Sequence, residues 1–207
     1  MFSKFLNLKP EKQKKILESA IREFADNGYE KASTNKIIKE AGISKGILFH
    51  YFQNKKKLFL YVFDYSVDFC MDKFYKKVDF EERDFFKKLR QISSFKLELV
   101  NIYPSIFKFF EVAIGEECNE VKSEIEKRKK KLTESGYSKV FNNIDVSRFR
   151  DGVDVSRSIN IIMWTLEGFG TSELQKAKAS ASKQMDYKKT FAEMDIYINI
   201  FKNCFYK

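Results

Sequence analysis

Almost nothing in this sequence is able to stop a helix. Its 207 residues include only 2 prolines and 8 glycines. The apolar residues recur mostly every three or four positions, which is the period of one face of an α-helix and not the alternation of a strand. The expected fold class is therefore all-α, with long helices joined by short connections.

Ile16, Leu17, Ala20, Ile21, Phe24 and Ala25 make one stripe after Pro10, and Asn27-Gly28 is the expected stop, since glycine tolerates the left-handed position past a helix end. Ser33 or Thr34 is placed to cap a short second helix carrying Ile37, Ile38 and Ala41 and ending at Gly42. Ser44 then caps a third, Ser44 to Phe52. From Lys55 a long helix carries Leu58, Val62, Phe63, Phe69, Cys70 and Phe74. A stripe from Phe85 to Ile102 is interrupted by Pro104 and resumes over 105–113.

Residues 116–135 alternate acid and base, with Glu124/Arg128 and Glu126/Lys130 at the favourable i,i+4 spacing, so a largely exposed helix is expected there. Residues 136–154 read as a loop with room for one helical turn of its own. Two amphipathic helices, Val155 to about Lys176 and Tyr187 to Tyr206, follow on either side of a small polar linker, Ala177–Lys183. The division expected is a three-helix head, residues 1–54, and a larger helical body, residues 55–207.

Charge is unevenly spread. The chain carries a formal +10, and in residues 1–56 eleven lysines and one arginine face five glutamates and one aspartate, a net +6. Such an excess suits a polyanion, or an anionic membrane surface. Cys70, Cys118 and Cys204 are odd in number and far apart, so neither a disulfide framework nor a zinc site is expected. No apolar run reaches the length of a signal peptide or a membrane span. A cytoplasmic protein is expected.

The segment from Thr34 to Lys55, TNKIIKEAGISKGILFHYFQNK, reads as two helices crossing at a tight glycine turn. Its second helix breaks three local rules. Lys45 sets positive charge in the first turn, where the helix dipole disfavours it. Gly46 costs about 1 kcal/mol against alanine. Phe49, His50, Tyr51 and Phe52 are consecutive, and at about 100° per residue four aromatics cannot share one small core. Duplex DNA accounts for all three, because Lys45 and the helix N-terminus suit phosphate, bare backbone at Gly46 permits close approach, and ring edges reach sugar, phosphate or a thymine methyl. Leu48 and Phe52 are expected in the core, Lys45 and Tyr51 as contacts. His50 is open between phosphate contact and a structural hydrogen bond.

The pattern T…I…AG-I-S-K-G…F-H-Y-F…K resembles the TetR family of bacterial one-component repressors over residues 10–60. The resemblance implies that Thr34, Tyr51 and Lys55 bind phosphates and that Lys45, Gly46, Ile47, Phe49 and His50 approach the groove; Ser44, the cap of that helix, is counted with them as DNA-binding. Ile47 stands where the family often has Thr or Ser, and Phe49 where Tyr is usual, so each loses a hydroxyl and apolar contact is expected in its place. A homodimer reading two half-sites of a palindromic operator, with output by repression, is implied with it; one head alone makes too few base contacts, and paired heads read half-sites about 34–36 Å apart.

The resemblance also implies that the last two helices form the dimer, here through Ile159, Ile162, Leu166, Phe191, Met194, Ile198, Phe201 and Phe205, although the same stripes could fill the monomer's own core. A small apolar or aromatic effector is expected against Phe63, Phe95, Leu99, Phe107, Phe110 and Trp164, with ordinary core packing as the alternative for each ring. No cofactor or metal is expected, and the body contains no histidine.

Enzymatic chemistry is disfavoured because an acid/base or triad mechanism using histidine would have to enlist His50, inside the head. The rival reading is a basic membrane-surface or partner-binding helical module, drawn from residues 105–110 and the KRKKK run at 127–131. A DNA binder would lose affinity steeply with salt.

Overall fold

The computed structural model describes residues 3–180 and 185–207 in backbone and, except at 3, 133–139 and 178, in side chain. Ten α-helices and one 3-10 turn make up most of the described chain, and no strand is found among the described residues. By packing the chain falls into two compact units, Met1–Lys73 with Tyr103–Glu134, and Phe74–Ile102 with Ser135–Lys207.

The first unit holds α1 (Ser3–Leu6), α2 (Pro10–Lys31), α3 (Thr34–Ala41), α4 (Lys45–Phe52), most of α5 (Lys55–Lys77), α7 (Pro104–Ile114) and the start of α8 (Lys122–Val140). Its core is built from the predicted stripe Ile16, Leu17, Ala20, Ile21, Phe24 and Ala25, joined by Ile37, Leu48, Phe52, Phe59, Val62 and Phe109. Phe24, Phe59 and Phe109 meet edge to face or tilted at 4.9–6.2 Å between ring centres, a geometry worth about 0.5–1.5 kcal/mol per pair beyond the area buried.

The expected stop at Asn27-Gly28 is half of what occurs. Gly28 leaves the helix (φ 69°, ψ −177°), yet helical pairing resumes and α2 continues to Lys31. The interruption is tolerated because the Tyr29 N–H finds a replacement acceptor, donating to Glu116 Oε2 at 2.8 Å. A side chain at Gly28 would be strained in its backbone and would press that same oxygen at 3.3 Å.

Glu116 also corrects the next expectation. The helix read from residue 116 begins at Lys122, since the Glu116 carboxylate is occupied by Tyr29 and by the Cys118 N–H (3.2 Å) and holds residues 115–121 in turns. At its far end α8 runs to Val140, into the segment expected to be loop. Val121, just ahead of the helix, and Ile125 within it are buried, while Leu132 is exposed. The Glu124–Arg128 pair forms at 2.9 Å, and Arg128 also grips Asp64 through two nitrogens (2.7 and 3.2 Å).

The second unit contains α6 (Phe85–Ile102), α9 (Val155–Ala179), α10 (Tyr187–Phe205) and the 3-10 turn Val146–Arg148. Helix α9 passes the expected end at Lys176 and takes in the first residues of the predicted linker, of which 181–184 lie outside the described residues. Phe85, Phe86, Leu89, Phe149, Ile162, Leu166, Ile198 and Tyr206 form its core. The C-terminal end is pinned by a buried carboxylate. Tyr206 Oη donates to Asp84 Oδ1 (3.2 Å) and accepts from the Phe85 N–H (3.1 Å), while Arg148 pairs with the other Asp84 oxygen.

Candidate nucleic-acid interface

Helix α4 is held from beneath by its two apolar anchors. Leu48 and Phe52, four residues apart, are 1% and 0% exposed, as the sequence pattern requires. That fixes which face is free: Ser44, Lys45, Gly46 and His50 are exposed and Ile47, Phe49 and Tyr51 half-buried.

The turn into this helix depends on Gly42, which is left-handed (φ 66°, ψ 39°) and donates to the carbonyl of Lys39 at 3.3 Å, while the Ile43 N–H returns to Ile38 at 3.1 Å. A β-carbon at Gly42 would be strained at this φ. The crossing is braced by Glu23, 3% exposed on α2, which accepts from the Ser33 N–H (2.8 Å) and pairs with Lys36 (2.8 Å). That hydrogen bond raises the Lys36 pKa above its ordinary value.

Both helices of the motif begin on neutral serines. Ser33 Oγ accepts from the Lys36 N–H (3.4 Å) and Ser44 Oγ from the Ile47 N–H (3.3 Å), and neither α3 nor α4 has an acid in its first turn. An acidic cap would neutralise the positive helix end; these leave it available to an external anion. Thr34, half-buried, is the first residue of α3, and Lys45 the first of α4. The predicted residues from Thr34 to Tyr51 thus lie on two adjoining helices of one unit.

Gly46 has nothing within 4 Å of where a β-carbon would stand, so no internal packing demands glycine there. Gly46→Ala is accordingly expected to stabilise the head by about 1 kcal/mol in urea unfolding while weakening binding to duplex DNA, opposite signs that an internal role for Gly46 would not produce.

Lys55 opens α5, and its ammonium donates to the Glu30 carbonyl (2.9 Å) and sits 5.1 Å over the Tyr29 ring. Contact with a phosphate would require it to leave both. Tyr51 packs its ring edge-on to Phe5 at 5.9 Å. Phe5 and the short helix bearing it were not singled out by sequence reasoning, though Phe5, Leu6 and Leu8 ahead of Pro10 form an apolar trio that could have drawn attention.

The expected pocket residues do not come together within one unit. Phe63, Phe107 and Phe110 belong to the first, with ring centres 5.7–5.9 Å apart along the series. Phe95 and Leu99 are buried in the second, Phe95 beside Phe74 at 6.0 Å. Trp164 is 68% exposed on α9, and the inward side of that helix is taken by Ile162 and Leu166.

The expected interface stripe is largely buried within the chain. Ile162, Leu166 and Ile198 sit in the monomer's core, and Ile159, Met194, Phe201 and Phe205 pack against it; Phe191 is half-buried. The apolar face left uncovered is a neighbouring one, Ile161 and Trp164 on α9 with Ile196, Tyr197 and Ile200 on α10.

Residues 16–62 match the family model for bacterial regulatory proteins of the tetR family. Over 48 residues the chain is 46% identical to the HTH-type transcriptional repressor AcnR of Corynebacterium efficiens, a match covering 23% of this chain and 26% of that one. Such matches confined to the head span between 20% and 26% of the relatives' own length. A longer one, 25% identical over 169 residues, covers 75% of this chain and 80% of the fatty acid metabolism regulator protein of Bacillus subtilis. In fold, a TetR family transcriptional regulator from Chloroflexus aurantiacus superposes with a TM-score of 0.59 at 19% identity, covering 99% of this chain and 98% of the other. The head, residues 16–62, thus matches the tetR family of bacterial regulatory proteins, and the chain as a whole shares the fold of a TetR family regulator.

Proposed function

We propose that the chain is a ligand-responsive transcriptional repressor that binds a palindromic operator as a homodimer. The observation that carries the reading is the free face of α4, where Lys45 and bare Gly46 lie exposed at a serine-capped, acid-free helix start. In this reading residues 1–54 are the DNA-binding domain and residues 55–207 bind effector and partner. Thr34, Tyr51 and Lys55 contact phosphates, with Lys55 exchanging the Glu30 carbonyl for the backbone. Ile47, Phe49 and His50 meet the groove.

The dimer uses the uncovered face of α9 and α10. Ile161, Trp164 and Gly168 recur at i, i+3 and i+7, and no atom lies within 4 Å of a β-carbon position on Gly168, so a partner helix can approach closely there. The effector is apolar. Because the match to a regulator named for fatty acid metabolism extends well beyond the head, a long-chain acyl compound is the first candidate. Effector binding favours a conformation that DNA does not, and the coupling is reciprocal, typically 1–3 kcal/mol.

Selection of bound duplexes from a random pool tests the reading. A palindromic consensus whose binding falls steeply with salt supports it. Absence of any enriched sequence overturns it, and liposome binding in place of DNA binding would favour a basic membrane-surface module, although no helix among the described residues is long and apolar enough to cross a membrane.

A further inference from the structure

Residues 3–9 precede the helix-turn-helix pattern, and the pattern assigns them no task. In the structure they are not a loose tail. Phe5 on α1 is 0% exposed, with its ring centre 4.9 Å from Phe52, 5.4 Å from Tyr61 and 5.9 Å from Tyr51. Two of these three rings are the last two residues of α4. The turn after it is closed by the Leu8 N–H donating to the Phe5 carbonyl (3.1 Å), and the Gln13 side-chain amide donates to the carbonyls of Leu6 (3.0 Å) and Leu8 (2.8 Å), tying the segment to the start of α2.

Four residues are far too few to be helical by themselves in water, so α1 exists because Phe5 is inserted among these rings. Its position is thereby coupled to that of Tyr51. The neighbouring Lys4 is exposed, as is Lys9 beyond the turn, and a lysine is a mobile point charge on a four-carbon stem, suited to a phosphate without demanding one geometry.

We propose that α1 is a second DNA-contacting element of the head, in which Phe5 positions Tyr51 and the C-terminal end of the recognition helix, and Lys4 contacts the DNA backbone beside the phosphate that Tyr51 holds. The inference rests on the DNA-binding reading above. It adds a contact outside the helix-turn-helix, and it makes the aromatic at position 5 a positioning residue for a contact forty-six residues away in sequence.

The test uses the full chain and its selected operator. Lys4→Gln leaves the thermal midpoint unchanged and lowers the slope of log affinity against log salt by about 1, with an equal loss on operator and random duplex. Lys188→Gln, a control on α10, leaves the slope as it was. Phe5→Leu keeps most of the buried volume but removes the ring, and lowers the ratio of operator to random-duplex affinity roughly three- to tenfold, the size of one aromatic pair. A Lys4→Gln slope equal to wild type, or a Phe5→Leu variant that loses stability with its affinity ratio intact, overturns the proposal. If wild type itself binds no duplex, the failure belongs to the DNA-binding reading.

Discussion

A Trp164→Glu, Ile200→Glu double variant is expected to sediment as a monomer and to bind the full operator at least about 100-fold more weakly than wild type, the scale on which two linked heads exceed one. The two side chains are 68% and 50% exposed, and Ile161 on α9 and Ile196 and Tyr197 on α10 are exposed as well. Tryptophan commonly dominates an interface energetically, since it removes a large apolar area from water at little entropic cost. Placing a carboxylate on each side of a self-complementary contact also sets like charges against each other across the symmetry axis. Because neither residue packs inside the monomer, the unfolding midpoint of the isolated chain should hardly move. Ile162→Glu provides the contrast, since a charge at a 0% exposed position should unfold the second unit. A double variant that remains dimeric at micromolar concentration would move the interface elsewhere.

That contrast shows where sequence reading succeeds and where it stops. Leu48 and Phe52 lie four residues apart on an eight-residue helix with Ser44 before it and Gly42 before that, and local spacing alone decides that they face inward. On α9 and α10 the apolar residues cover more than half the circumference. Periodicity then identifies an amphipathic helix but not which of two adjoining stripes the monomer buries, and the choice of Ile162, Leu166 and Ile198 over Ile161, Trp164, Ile196 and Ile200 depends on where α6 packs. The start of α8 was illegible for a similar reason. It is set by Glu116, whose carboxylate is taken by the Tyr29 N–H, 87 residues distant, while locally the acid/base alternation of 116–121 continues the helical pattern. Phe5 was passed over because a four-residue helix has no period to detect. Lys88, between Phe86 and Leu89 on a buried face, reads from sequence as one more solvated lysine.

Lys88→Met is expected to destabilise the protein by about 2–4 kcal/mol, lowering its thermal midpoint by roughly 4–16 °C. Lys88 is 0% exposed and has no carboxylate partner among its hydrogen bonds. Its ammonium donates instead to the Phe80 carbonyl (3.1 Å), the Val140 carbonyl (3.0 Å) and Asn143 Oδ1 (2.8 Å), and the Asn143 amide donates in turn to Phe80 (2.8 Å). Val140 is the last residue of α8, so the charge also sits at the negative end of a helix dipole. Replacing a buried ion pair on both sides with apolar groups is often neutral, but that does not apply here. Methionine fills the space but leaves the Val140 carbonyl and Asn143 Oδ1 without a donor, and the Phe80 carbonyl with the Asn143 amide alone. Burial lowers the Lys88 pKa, against the pull of Asp79, Glu82 and Glu81. As pH rises toward 10.5 the folded protein sheds this proton before the unfolded chain does, so the unfolded state holds more protons there and stability rises with pH. The advantage of wild type over Lys88→Met should therefore widen on the alkaline side. Urea unfolding of both proteins across that range checks it, and equal stability of the two at neutral pH would show that the three carbonyl contacts contribute nothing that methionine packing does not replace.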